Sequence, residues 1–123
     1  IMKKILVSDK ASFTRVKMAK LLSDEGFDVL QAESGQKAVE LYQSFLPDVI
    51  LMDLFSQKEE DFTSIKKITD LNPQANVIML SSIGQEPDLI NAIATGARDF
   101  IVKPINKNSL FYKIQNLLET VRV

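Results

Sequence analysis

Four side chains of complementary chemistry occupy the same kind of position in this chain, at the end of a short apolar run. Asp9 follows Ile5-Leu6-Val7 with Ser8 between, and Asp53 directly follows Val49-Ile50-Leu51-Met52. Ser81 follows Val77-Ile78-Met79-Leu80, and Lys103 follows Phe100-Ile101-Val102. Each residue has an ordinary role when taken singly: an Asp or Ser in such a place caps a helix or closes a turn, and a Lys is solvated. Two carboxylates, a hydroxyl and an ammonium at corresponding places are harder to dismiss. Asp53 is the candidate for a reactive carboxylate.

Other chemistries on the same kind of framework are excluded by what is missing. The turn after the first run, Ser8-Asp9-Lys10-Ala11-Ser12, has no glycine, so it is not a dinucleotide fingerprint. No GxxxxGK[ST] phosphate loop and no G-x-S-x-G elbow occurs. The chain has no His, which removes Ser–His hydrolysis, the commonest metal ligand and phosphohistidine on this chain itself. It has no Cys, so disulfides and thiolate metal sites are excluded.

The elements that must position these residues can be read from periodicity. The runs are Ile5–Val7, Val29–Leu30, Val49–Met52, Val77–Leu80 and Phe100–Val102, most of them continuous rather than alternating. That pattern belongs to strands covered on both faces, as in a parallel sheet. Amphipathic segments lie between them. Phe13, Val16, Ala19 and Leu22 mark a stripe in 11–25, with Gly26 as a stop. Ala38, Leu41, Tyr42 and Phe45 mark one in 34–45, with Ser34 as N-cap. Leu110, Ile114, Leu117, Leu118 and Val121 mark one in 106–121, and Gly96 closes the helix before the fifth strand. Five β/α units in strict alternation predict an α/β fold: a doubly wound five-stranded parallel sheet with five helices on both faces. Ligands of such sheets bind outside the carboxyl ends of the strands, where the four residues collect.

Residues 1–123 read as a single domain with no output domain. The 123 residues carry 15 basic and 16 acidic side chains, mixed along the chain, and offer no basic arm for nucleic acid. No apolar run approaches the roughly 18 residues of a membrane span. The N-terminus lacks a signal-peptide layout. A reducing, cytoplasmic setting follows from these features.

The chain resembles the receiver domain of bacterial two-component response regulators, especially the stand-alone chemotaxis type. The likeness rests on Ile5-Leu6-Val7-Ser8-Asp9, Pro47-Asp48-Val49-Ile50-Leu51-Met52-Asp53 and Gly96-Ala97-Arg98-Asp99-Phe100-Ile101-Val102-Lys103-Pro104. It implies the flavodoxin-like strand order 2-1-3-4-5. It also implies a phosphoacceptor switch rather than an enzyme: Asp53 attacks phosphohistidine on a sensor histidine kinase or phosphotransfer protein. Such a transfer needs charge neutralisation and positioning more than covalent machinery. By the same resemblance Mg²⁺ is held by Asp9, Asp53 and the backbone carbonyl of Phe55. Ser81 is the switch hydroxyl that binds phosphate, Lys103 pairs with phosphate, and Phe100 changes rotamer on activation. The Lys103–Pro104 bond is cis. A downstream protein docks on the face of helix 4, strand 5 and helix 5, near Ile90, Ala94, Phe100, Lys103 and Asn106.

Two departures from the family pattern matter. Where the family has a second acid after the first strand, a direct metal ligand, this chain has Lys10. The formal side-chain charge of the site moves from about −2 to about 0, and hard cations select carboxylate oxygens. Mg²⁺ binding is therefore expected to be weakened. Lys10 has two open readings: a tethered cation beside Asp53 that lowers its pKa, or an outward side chain at a degenerate site. The loop after Asp53 also departs, with Ser56-Gln57-Lys58-Glu59-Glu60-Asp61 in place of the family's proline- and glycine-containing stretch. Glu59, Glu60 or Asp61 either replaces the lost carboxylate or simply starts a helix. The alternative function is a phosphorylation-independent pseudo-receiver, an interaction module of the same fold.

Overall fold

A computed structural model describes residues 2–54 and 58–119. The elements alternate in chain order. They are β1 (Lys4–Ser8), α1 (Ser12–Asp24), β2 (Asp28–Ala32), α2 (Gly35–Phe45), β3 (Val49–Asp53), α3 (Lys58–Leu71), β4 (Val77–Ser81), α4 (Glu86–Thr95), β5 (Asp99–Val102) and α5 (Lys107–Glu119). The strands form one sheet in the order β2-β1-β3-β4-β5, with every pairing parallel. This is the architecture predicted from the alternation and from the resemblance. Val121 and the Phe55 carbonyl lie outside the described residues.

Successive side chains on a strand point to opposite faces, so each strand supplies two cores. Leu6, Ile50, Met52 and Met79 face a layer that includes Ala38 and Tyr42 of α2, Ile65 and Ile68 of α3, and Leu89 and Ala92 of α4. Ile5, Val7, Leu51 and Leu80 face Met18 and Leu22 of α1 and Leu110 and Ile114 of α5. β3 and β4 are buried along their whole length. Their continuous apolar runs need that double cover, because exposing either face would return Val, Ile and Leu surface to water.

Helix ends follow local chemistry. Ser34 Oγ accepts from the Lys37 N–H at 3.1 Å and caps α2, as its type and place predicted. Gly26 ends the α1 turn at φ +96°. Gly96 follows α4 at φ +139°, and a Cβ there would lie 2.6 Å from Thr69 Cγ2 of α3. Both the backbone angle and the space therefore require glycine.

The predicted stripe on α1 holds at Ala19 and Leu22 and is corrected at Phe13 and Val16. Phe13 and Val16 are 78% and 53% exposed, and the buried face is Met18, Ala19 and Leu22. Two stripes overlap on this helix at i, i+3 and i+4 spacing, and spacing alone does not say which one meets the sheet. Phe45 is likewise half exposed, with the Lys4 ammonium 5.8 Å from its ring centre.

Candidate functional site

Parallel register brings the four candidate residues to one sheet edge. Asp53 of β3 pairs with Leu80 of β4, one residue before Ser81. Ser81 pairs with Val102 of β5, one residue before Lys103, and the Lys103 N–H donates to the Ser81 carbonyl at 2.7 Å. Ser8 of β1 pairs with Met52, which sets Asp9 beside the end of β3. Asp9, Asp53, Ser81 and Lys103 thus head four adjacent strands.

Their surroundings differ. Asp53 is 4% exposed and Ser81 fully buried, and among the described residues the Ser81 hydroxyl has no hydrogen-bond partner. The Lys103 ammonium touches Asp53 Oδ1 as an ion pair. That contact supplies both charge and a hydrogen-bond donor to the carboxylate. Burial pushes the Asp53 carboxyl above its ordinary range; Lys103 pulls it down, Asp9 adds to the upward push, and burial wins. Asp9 is already engaged. Its Oδ1 accepts from the Ala11 N–H at 2.9 Å and its Oδ2 from the Thr14 hydroxyl at 2.5 Å. The Lys103–Pro104 peptide is cis.

A cavity of about 120 Å³ opens over Asp53, lined among others by Asp9, Lys10, Gly35, Glu60 and Asp61. A buried carboxylate paired with the Lys103 ammonium thus lies beside a buried hydroxyl that has no partner among the described residues, and opens to a small cavity.

The comparisons with known proteins agree on one family. The family model described as the response regulator receiver domain matches residues 5–115. The chemotaxis protein CheY of Bacillus subtilis is 38% identical over 116 residues, covering 94% of this chain and 97% of that protein. CheY of Thermotoga maritima is 37% identical, covering 83% and 86% respectively. Among solved structures, a receiver domain from Clostridium thermocellum superposes with a TM-score of 0.88 at 27% identity over 95% of this chain and 94% of that one. The NtrX receiver domain from Brucella abortus gives 0.87 at 29% identity, covering 95% and 99%. The chain is a member of the response-regulator receiver family.

Receivers are signalling domains of two-component systems and generally bind Mg²⁺ at an acidic site. The described residues of this receiver fit that ion poorly. Lys10 stands at the second-acid position, each Asp9 oxygen already accepts one hydrogen bond, and Asp53 is paired with Lys103. No group of three His, Cys, Asp or Glu side chains among the described residues is arranged to hold a metal.

The reading in which Lys10 lowers the Asp53 pKa is corrected. The Asp53 carboxyl is raised, and the cation acting on it is Lys103. Lys10 is exposed at the mouth of the cavity. The three acids after the loop all fall in the first turn of α3. Glu60 Oε1 accepts from the Gly35 N–H at 2.9 Å and the Gln36 N–H at 3.4 Å, so it caps α2 from another helix. Asp61 is buried against the Asp53 cavity, and Glu59 is exposed.

Gln85 was not foreseen. It occupies the N-cap of α4, yet its side chain makes no capping bond to that helix. Its Nε2 donates to the Leu54 carbonyl at 3.0 Å, and its Oε1 accepts from the Ser82 N–H at 2.6 Å. Gln is not a favoured cap residue, and a long-range reach between two loops leaves no periodic trace in sequence. Among the described residues no helix is long and apolar enough to cross a membrane.

Proposed function

We propose that this receiver takes a phosphoryl group on Asp53 from phosphohistidine on a sensor histidine kinase or phosphotransfer protein, in the cytoplasm, and signals by binding another protein. The observation that carries this reading is the juxtaposition at the edge of β3 and β4. Asp53 is buried and paired with the Lys103 ammonium, beside a buried hydroxyl that has no hydrogen-bond partner among the described residues. An Asp53 oxygen attacks phosphorus, the P–N bond breaks, and the imidazole nitrogen leaves with its electron pair and takes a proton. Lys103 offsets charge on the transferred group, and Ser81 gains the acceptor it lacks. Mg²⁺ would lend further charge stabilisation where it binds. The donor set here supports weak binding, and magnesium titration followed by fluorescence or NMR should show it. Ordinary receiver affinity would refute that part.

The downstream surface in this reading is the α4–β5–α5 face. Ile90 is 70% and Phe100 41% exposed there, with Ala94 and Asn106 also exposed. A second reading, a pseudo-receiver that binds partners without phosphorylation, is favoured by Lys10 at the second-acid position. Intact mass separates the two after incubation with acetyl phosphate, with and without Mg²⁺. One added phosphoryl group, absent in Asp53→Asn, supports the first reading; no adduct under any condition supports the second.

A further inference from the structure

We infer that Gln85 is a clamp that holds the Ser81 segment in its resting place and must yield when Asp53 is modified. The inference rests on the phosphoacceptor reading above. The two residues on which that reading turns sit at the heads of adjacent strands: Asp53 is followed by Leu54, and Ser81 by Ser82. Gln85 bonds to both followers through the two ends of one amide, donating to the Leu54 carbonyl and accepting from the Ser82 N–H. A Gln amide is suited to this because it carries a donor and an acceptor on one rigid plane. The Gln85 N–H also donates to the Ser82 carbonyl at 3.2 Å, so 82–85 is a closed turn that moves as one piece.

What this turn restrains is a hydroxyl with an unmet need. Ser81 Oγ is fully buried and has no hydrogen-bond partner among the described residues, an arrangement that persists only when the surroundings hold it. A phosphoryl group on Asp53 brings acceptor oxygens next to it. For Ser81 to reach them its segment has to shift, and the Gln85 bonds to Leu54 and Ser82 resist that shift. α4 begins at Glu86, the residue after the clamp, so any displacement of Gln85 passes directly into α4. The clamp thus sets both how readily the modified state forms and how the change reaches the α4 surface.

The test compares wild type, Gln85→Ala and Gln85→Glu. Gln85→Glu keeps the acceptor for Ser82 and loses the donor to Leu54, so it carries the test should Gln85→Ala fail to fold. Acetyl phosphate is the donor: the Asp53 Oδ–P bond forms, the acetyl O–P bond breaks and acetate leaves. Intact mass gives the rate, with Asp53→Asn as the blank. Hydrogen exchange at the Ser82 amide reports the clamp itself, and release should speed it about tenfold in Gln85→Ala. The expected result is phosphoryl acceptance about fivefold faster than wild type, the worth of one ordinary net hydrogen bond. A purely structural role would speed exchange and leave acceptance unchanged. Acceptance at or below the wild-type rate overturns the clamp while the receiver reading stands. No adduct on wild type overturns the receiver reading and with it the clamp's part in switching. In that event a Ser82 amide as slow in Gln85→Ala as in wild type overturns the clamp outright.

Discussion

Asp53 is the residue whose protonation links fold and chemistry. Its carboxyl is held above the ordinary range because burial outweighs the pull of Lys103. Below the ordinary carboxylate range both folded and unfolded chains hold the proton, and burial of Asp53 is harmless. As pH rises through the raised value the folded carboxylate must ionise in a dry site, and stability is lost. Asp53→Asn should therefore unfold at higher urea than wild type at neutral pH, with the gap closing in acid; equal midpoints at both pH values would contradict this. Acceptance from a small phosphodonor should fall as pH drops through the same raised value, since the nucleophile is the ionised form. At the neighbouring position, Lys10→Asp returns an acid to the head of β1 and removes a cation. It is expected to tighten Mg²⁺ binding about tenfold or more, the scale of one or two kcal/mol of carboxylate coordination, measured by the same titration. Asp53, Asp9, Ser81 and Lys103 were legible in sequence because strand ends announce themselves and a parallel sheet aligns them. The lack of a partner for the Ser81 hydroxyl among the described residues was not, since an absent hydrogen bond has no pattern.

At the scale of elements, α2 and α3 are joined more closely than either sequence suggests. Glu60 of α3 takes the first N–H groups of α2, and a Cβ on Gly35 would lie 2.2 Å from Ser64 Oγ. Glu60→Ala should cost about 1 kcal/mol in a urea unfolding experiment, the usual worth of an N-terminal cap, and Glu60→Gln should recover most of it. Gly35→Ala should cost more, and Ser64→Ala in the same chain should relieve it, because the clash is with that hydroxyl. Sequence reading left Glu60 as either a replacement carboxylate or a helix-start acid; it does fall in a helix start, but its partner lies 25 residues earlier in the chain, beyond any local signal. The α1 stripe held at Ala19 and Leu22 but failed at Phe13 and Val16 for a related reason. Phe13 and Val16 share their spacing with the buried set, and only the docked sheet chooses between them. Capping by Ser34 was legible because its bond closes within three residues.

Over the whole molecule, the sheet divides two cores, and the exposed apolar side chains sit outside both. Ile90 (70% exposed) and Phe100 (41%) contribute little to either core. Ile90→Ala should change stability by no more than about 0.5 kcal/mol, as surface substitutions do. If the α4–β5–α5 face carries the output, the same variant should weaken partner binding without slowing phosphoryl acceptance on Asp53; slowed acceptance would place Ile90 in the site instead. Alternation of strands and helices made this architecture readable, because each apolar run needs cover on both sides and only a layered α/β arrangement gives it.

The unpaired Ser81 hydroxyl has one more consequence. A buried donor without an acceptor among the described residues holds the unmodified fold below the stability its packing would otherwise give. Supplying that acceptor on Asp53 would convert a signalling event into a thermal one. The modified protein should melt higher and resist proteolysis longer than the unmodified one, so that heat and a protease could count the signalled fraction with no partner present.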